Sequence, residues 1–414
     1  MYWANFLHIY QPPTQTEEIV RKVADECYRN LVSILEKCEK GKLTLNISGI
    51  LTEQLAKYGY SDIIDGLGRL AERGQIEFTG SAMYHPILPL IPEDEIRRQI
   101  ELNNNTNRRF FGDVYNPAGF FPPEMCYSFD VAKIVSEFGF SWIIVDEIAY
   151  RGSVGMVDDS TIYKIRGLKD FSVYFKERPF SAGLTYGAYP DKASFLQALN
   201  NRMEKHCYLL TGTDGEIYGH HRPGQENLLI EIFDEGIPPT CTISELNSLF
   251  PHHDDTLPLN SSWSTWEDEM RNGIPYPQWS YPGHDIHILQ WKLTNAVLSL
   301  VQKMPENAPM YRQARKMVDE GLHSCQYWWA SCRPWWDTGM IEAGARRLYD
   351  AFQLLQDYVE PNIRSDITVL FNKILSTAAE WQQNGKAKLL KEQYMKEHPM
   401  VGSELTFGNE KRTA

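Results

Sequence analysis

"AGFFPPEMCYS" (Ala118–Ser128) runs small and aromatic residues straight into two prolines and sets a carboxylate directly behind them. Neither Pro122 nor Pro123 has a backbone N–H to donate to a central sheet ladder, so the chain must leave the sheet there. A residue that precedes proline is held extended, so Phe121 and Pro122 stiffen the exit and limit where Glu124 can point. The stretch reads as a short apolar strand with Glu124 standing at its end. The plainer alternative, on this stretch alone, is a surface loop with a solvated glutamate.

Similar apolar runs recur on both sides of it, up to about residue 250. "WANFLHI", "LTLNIS", "IEFTG", "SWIIVD", "FSVYF" and "CYLLTGT" read as strands, with "TCTIS" as a further candidate. Helix-length segments separate most of them: Glu17 to Glu39, Leu51 to Arg73, Pro92 to Phe110, Phe129 to Phe138 and Lys192 to Met203. Strands alternating with helices predict an α/β fold with a parallel sheet and crossovers, either open or closed into a barrel. Several strands are nearly continuous in apolar residues, as strands covered on both faces should be. One break, "YRGSVGMVDDSTIYKIRGLKD", reads as an excursion or small hairpin before the sixth strand, "FSVYF". After roughly Leu259 the strand signals stop and helical periodicity takes over, as in "HDIHILQWKLTNAVLSLVQKM" and "TGMIEAGARRLYDAFQLLQDYV". The expected organisation is an α/β catalytic region over residues 1–258, a helical region over 259–395 completing the active-site cleft, and a polar tail over 396–414.

Composition narrows the function. The 414 residues are 43% hydrophobic and 23% charged, which is ordinary for a globular chain. Asp plus Glu outnumber Lys plus Arg by 54 to 41, a balance of −13, and no basic run opposes that field, so nucleic acid is not an expected partner. No stretch has the ~18 apolar residues of a membrane span, and "MYWANFLHIYQPP" lacks the basic and apolar regions of a signal peptide. No membrane association and a cytoplasmic location are expected. Seven scattered cysteines, never spaced C-x-x-C, fit free thiols in a reducing compartment. Aromatics reach 12%, with 11 Trp and 22 Tyr, side chains that stack on sugar faces.

In parallel α/β folds functional residues gather at the C-terminal ends of strands. The first strand ends in His8, followed by "IYQPP" with Gln11; the third leads to His85, the fourth to Glu124, and the seventh to Asp214, Glu216, His220 and His221. Each alone could be a core histidine or a helix-capping carboxylate. Together they would face one rim. Two carboxylates at separate strand ends are what glycosidic cleavage requires: one meets the anomeric carbon and the other protonates the leaving oxygen. Glu124 and Asp214 form that pair, and neutral imidazoles can bind sugar hydroxyls without adding charge.

"LHIYQPP", "GQIEFTGSAMYHPILPLIP", "GFFPPEMCYS" and "TDGEIYGHHRPG" occur in the order and approximate spacing of the signature motifs of glycoside hydrolase family 57, which the chain therefore resembles. The resemblance implies an incomplete (β/α)7 barrel followed by a C-terminal helical bundle. It also implies retaining cleavage of α-glycosidic bonds, with an α-glucan or oligosaccharide as substrate and no cofactor or metal. By the same resemblance Glu124 is the nucleophile, Asp214 the general acid/base, and His8, His85 and His220 line the donor subsite; Gln11, in the first motif, is placed with them. "YFKERPFS" departs from the pattern, carrying Lys176 and Glu177 where many members resemble Arg-Asp. The chain is also short for the family's amylases and glucanotransferases, with no room for an added β-domain. Among the Trp-rich C-terminal pieces, "CQYWWASCRPWWDTG" offers Trp336 as a sugar platform and Asp337 as a donor-site residue.

Two other readings compete. A catalytically inactive sugar-binding or regulatory barrel could lose Glu124 or Asp214 freely, yet both are present. A metal-dependent mannosidase or deacetylase on a related barrel needs His-x-Asp or paired Asp ligands at the first strand, which here ends "LHIYQ". "PHHDD" and "HDIH" contain ligand-type residues but read equally as a solvated loop and a helix start.

Overall fold

A computed structural model describes residues 1–398, and the expected polar tail lies outside them from residue 399 onward. The chain forms two compact units, Met1–Pro275 and a second from Tyr276 onward. Among the described residues the first unit carries ten strands: β1 (Tyr2–Ile9), β2 (Leu43–Ile47), β3 (Ile76–Gly80), β4 (Gly119–Phe120), β5 (Trp142–Asp146), β6 (Ile162–Ile165), β7 (Ser172–Lys176), β8 (Tyr208–Asp214), β9 (Thr240–Cys241) and β10 (His253–Thr256). They pair in the order β10-β6-β7-β5-β4-β3-β2-β1-β8, with β9 also on β1. Every pairing is parallel except β6 with β7. The excursion is thus a hairpin strand, and the strand read as sixth is β7. β10, which carries His253 to Asp255 of "PHHDD", was not foreseen: its exposed, polar side chains hide a strand whose pairing is edge backbone against β6.

The sheet curls into an incomplete barrel. Phe6 of β1 lies 5.1 Å, ring centroid to centroid, from Phe121 at the exit of β4, although β2 and β3 stand between those strands in the ladder. Strand alternation sorts the faces. Ala4, Phe6, Trp142, Ile144, Tyr174, Tyr208 and Leu210 pack inside. Trp3, Leu7, Ile9, Leu43, Leu45 and Leu209 point outward to helices such as Arg29–Lys37 and Ser61–Glu72. By that parity His8, Asn46, Asp146, Lys176 and Asp214 face inward near the C-terminal ends of β1, β2, β5, β7 and β8. The gap between β7 and β8 has no ladder and is spanned by the Glu177 N–H donating to the Leu210 carbonyl at 2.8 Å.

Two predicted helices are interrupted. Glu17 to Glu39 is one run with a π-helical stretch, Ala24–Tyr28, between α-helices Glu17–Val23 and Arg29–Lys37. Leu51 to Arg73 divides into Gly49–Lys57 and Ser61–Glu72 around Gly59, whose φ of 84° ends the first helix. The second unit is helical, with Asp285–Lys303, Tyr311–Gly321, Thr338–Leu355, Pro361–Gln383 and Lys386–Glu397 as its main helices. No helix among the described residues is long and apolar enough to cross a membrane.

Candidate active site

Glu124 sits in a single turn, Pro123–Met125, directly after the two prolines. Its φ is 60° and ψ is 17°, and Met125 follows with φ 49°. Left-handed backbone at a non-glycine residue costs about 1–2 kcal/mol, so the surrounding contacts must over-determine it. Trp263 supplies two of them: its indole N–H donates to Glu124 Oε2 at 2.9 Å, and its backbone N–H donates to the Glu124 carbonyl at 3.2 Å. The sequence does not single out Trp263; the segment that carries it returns 139 residues later, so no local signal ties it to Glu124. His85, itself left-handed at φ 59°, brings Nδ1 to 3.6 Å from Glu124 Oε1.

The histidines of β1 and the β3 exit meet. His8 and His85 stack at 4.8 Å, Tyr10 stacks on His85 at 4.3 Å, and His8 lies 4.6 Å from the Phe121 ring. His8 Nδ1 is 2.8 Å from Asn46 Oδ1, and the Asn46 amide in turn donates to Thr79 Oγ1 at 3.1 Å. Burial pushes the His8 imidazole down to about 4, against the opposing hydrogen bond to Asn46. It is neutral at pH 7. With Nδ1–H donated to an amide oxygen, Nε2 keeps a lone pair to accept from a hydroxyl.

Asp214 stands opposite His8 in the β1–β8 register. Solvent reaches its side chain, yet protein surrounds it closely enough that desolvation pushes the carboxyl up to about 6, with the Lys176 charge pulling the other way. Glu216, two residues on, is 5% exposed and accepts from the Tyr28 hydroxyl at 2.5 Å and from the Tyr10 N–H at 3.3 Å. Burial raises its carboxyl well above the ordinary range, and the neighbouring Asp214 charge raises it further. This corner thus holds a proton more readily than separate carboxylates would.

The remaining predicted residues divide. Gln11 is buried behind the rim, donating from Nε2 to the Tyr28 hydroxyl at 3.3 Å, so it meets Glu216 through Tyr28. His220 Nδ1 pairs with Glu26 Oε2 at 2.6 Å. Trp336 and Asp337 have contacts of their own within the second unit. The Trp336 indole donates to Gln382 Oε1 at 2.7 Å and stacks on Trp381, and Asp337 caps helix Thr338–Leu355 by accepting from the Met340 N–H at 2.8 Å. Among the described residues no three His, Cys, Asp or Glu side chains group as metal ligands would. In "HDIH", His287 is fully buried, with Nε2 3.0 Å from the Tyr327 carbonyl oxygen.

One inward cluster joins Lys176 to Asp146 and Arg178, which the sequence did not single out. Asp146, fully buried, is 2.8 Å from Lys176 Nζ and accepts from Arg178 at 2.7 and 3.0 Å. Burial alone would raise Asp146, but the Arg178 and Lys176 charges outweigh it and hold the carboxyl below its ordinary value.

The sequence profile of glycosyl hydrolase family 57 matches residues 4–253. Over 159 residues the chain is 28% identical to alpha-amylase 1 of Dictyoglomus thermophilum, covering 38% of this chain and 23% of that protein. Over 147 residues it is 27% identical to the 4-alpha-glucanotransferase of Thermococcus litoralis, covering 36% and 22%. The matches thus span less than a quarter of these relatives. In fold, it resembles a branching enzyme of Thermococcus kodakaraensis (TM-score 0.67, 15% identity, 90% of this chain and 94% of that one). It likewise resembles an exo-type maltose-forming amylase of a Pyrococcus species (TM-score 0.68, 13% identity, 93% and 85%). With more than half its length matched by the family profile, the chain belongs to glycosyl hydrolase family 57.

Proposed function

We propose that this protein is a retaining glycoside hydrolase or transglycosylase acting on α-glycosidic bonds of α-glucans or oligosaccharides, with Glu124 as nucleophile and Asp214 as general acid/base. The observation that carries the reading is the contrast between the two carboxylates. Glu124 is oriented by the Trp263 indole N–H, which donates to Oε2 and leaves Oε1 on the His85 side. Asp214 sits where desolvation favours its protonated form. A carboxylate oriented by a fixed donor, together with a carboxyl whose surroundings favour its proton, is the arrangement that divides nucleophile from acid.

The steps follow from that division. Asp214 gives its proton to the leaving glycosidic oxygen while a Glu124 oxygen bonds to the anomeric carbon, forming a glycosyl ester. The Asp214 carboxylate then takes a proton from water or an acceptor sugar hydroxyl as that oxygen displaces Glu124. His8, held neutral by burial, and His85, stacked on it, are the candidates to bind hydroxyls of the sugar under attack. The names of the relatives, an amylase and a glucanotransferase, support α-glucan as the substrate class. Incubation with a maltooligosaccharide ladder, followed by chromatography, tests this. Shorter products alone mark hydrolysis, and products both shorter and longer than the substrate mark transfer. An unchanged ladder together with unchanged aryl α-glycosides rejects the enzyme reading.

A further inference from the structure

Besides the Glu177–Leu210 hydrogen bond, β7 and β8 approach each other closely at Gly212. A Cβ added at Gly212 would stand 3.0 and 3.1 Å from Lys176 Cγ and Cδ, and 3.1 Å from the methyl carbon of Met125. Only the missing side chain lets the Lys176 stem cross the inner face of β8 there. Gly212 and Asp214 are two apart on one strand and share that face. The stem therefore lies against the face of β8 that also carries Asp214, and Met125 brings the residue after Glu124 to the same spot. Beyond the stem the ammonium is fixed: Nζ is 2.8 Å from Asp146 and 5.8 Å from the centroid of the Trp263 ring whose N–H holds Glu124.

We infer that Lys176 is a positioning residue for this site: laid across Gly212 and anchored on Asp146, its ammonium is the counter-charge to the Asp214 carboxylate after that group has given up its proton. The inference rests on the acid/base role proposed for Asp214 and adds how the anion is tolerated. When Asp214 has delivered its proton, Glu124 is esterified and uncharged, so a new anion stands alone near the buried Glu216. A cation already held in place stabilises it without rearrangement.

The other groups around Asp214 do not fill this role. His8, facing it from β1, is held neutral by burial. Glu216, on its own turn, opposes a second negative charge. From the β4 and β3 exits come Glu124, an acid, and His85, whose Nδ1 lies on the Glu124 side. Behind Lys176, Arg178 is turned to Asp146 and to the Thr265 carbonyl at 2.7 Å, and Glu147 accepts from the backbone of Arg178 and Gly155. The Lys176 charge does act on Asp214, in the direction that favours its ionised form.

The test replaces Lys176 by glutamine, which keeps a polar contact to Asp146 while Arg178 still neutralises that residue. Circular dichroism checks the fold, and Lys176→Met serves if the glutamine variant does not fold. The readout is the carbon-13 titration of the Asp214 carboxyl in the full chain, assigned by its loss in Asp214→Asn. Removing an adjacent charge should move that titration up by about one pH unit. The alkaline limb of kcat/KM on an aryl α-glucoside should follow it, and Lys176→Arg should restore the wild-type position. A titration that stays in place in Lys176→Gln overturns the inference, because a lysine that only braces Asp146 would not move it. Failure of the acid/base reading shows separately, as an Asp214→Ala enzyme that keeps full activity on substrates with poor leaving groups.

Discussion

In the proposed mechanism Glu124 and Asp214 differ in what their removal does to the barrier. If Glu124 is the nucleophile proposed here, no glycosyl ester forms without it whatever the leaving group, so Glu124→Ala should be inactive on natural and activated glycosides alike. Asp214 matters most where the leaving oxygen needs a proton, a contribution of about 10²–10⁴-fold. Asp214→Ala should therefore lose most of its rate on an oligosaccharide yet still be glycosylated by a nitrophenyl donor, and azide should accelerate its slow second step. Equal loss on both substrates, with no azide effect, would transfer the acid role to Glu216. Because desolvation raises the Asp214 carboxyl to about 6, its acidic form declines as pH rises through that value, and activity should fall on the alkaline side. The sequence singled out these two residues because one ends an apolar strand and the other follows one directly. Trp263 was not, since its partner lies 139 residues away.

At the level of elements, two devices shape the rim. The π-helical turn Ala24–Tyr28 carries both Glu26, which pairs with His220, and Tyr28, which donates to Glu216. An inserted residue in a helix re-aims the side chains around it, and the heptad-like apolar spacing of Glu17 to Glu39 conceals it. The second device is β4, only two residues long. Gly119 lies against Trp142 of β5, and a Cβ there would stand 2.0 Å from its indole carbons. Gly119→Ala should cost about 1–3 kcal/mol in urea unfolding, because a buried indole has to move. Gly68 is the comparison: it lies within helix Ser61–Glu72, and an added Cβ meets only Phe111 at 3.9 Å. Gly68→Ala should stabilise by about 0.5–1 kcal/mol. If both substitutions act alike, the tight β4–β5 approach does not hold Glu124's strand in place.

Over the whole molecule, buried carboxyls tie stability to pH. Glu77, Glu147, Glu177 and Glu216 are all raised, each chiefly by burial. A group whose folded value is raised keeps its proton in the folded state where the unfolded chain has lost it, so stability falls as pH rises between the two values. For Glu216 that window runs from the ordinary 4.5 up to about 8. Glu216→Gln keeps an oxygen to accept from Tyr28 and cannot ionise. Its melting temperature should exceed that of the wild type increasingly as pH rises through the window. Parallel melting curves against pH would mean that Glu216 carries no buried-charge penalty.

By itself the sequence determined the alternation of strands and crossovers, the helical second half, and the strand ends that bear His8, His85, Glu124 and Asp214. Those signals are local: apolar runs, prolines that end a ladder, and a period of two that assigns each side chain a face. Tertiary structure alone decided which strand ends meet. Curling of the sheet brought Phe121 onto Phe6 and His8, a returning loop delivered Trp263 to Glu124, and the glycine at 212 let the Lys176 stem lie against β8. It also made Gln11 a second-layer contact through Tyr28 and put an exposed polar segment, β10, on the sheet edge. Periodicity reports the face of a residue, whereas distance between strand ends depends on pairing order and curvature, which are settled by packing across the barrel and not by neighbours in the chain.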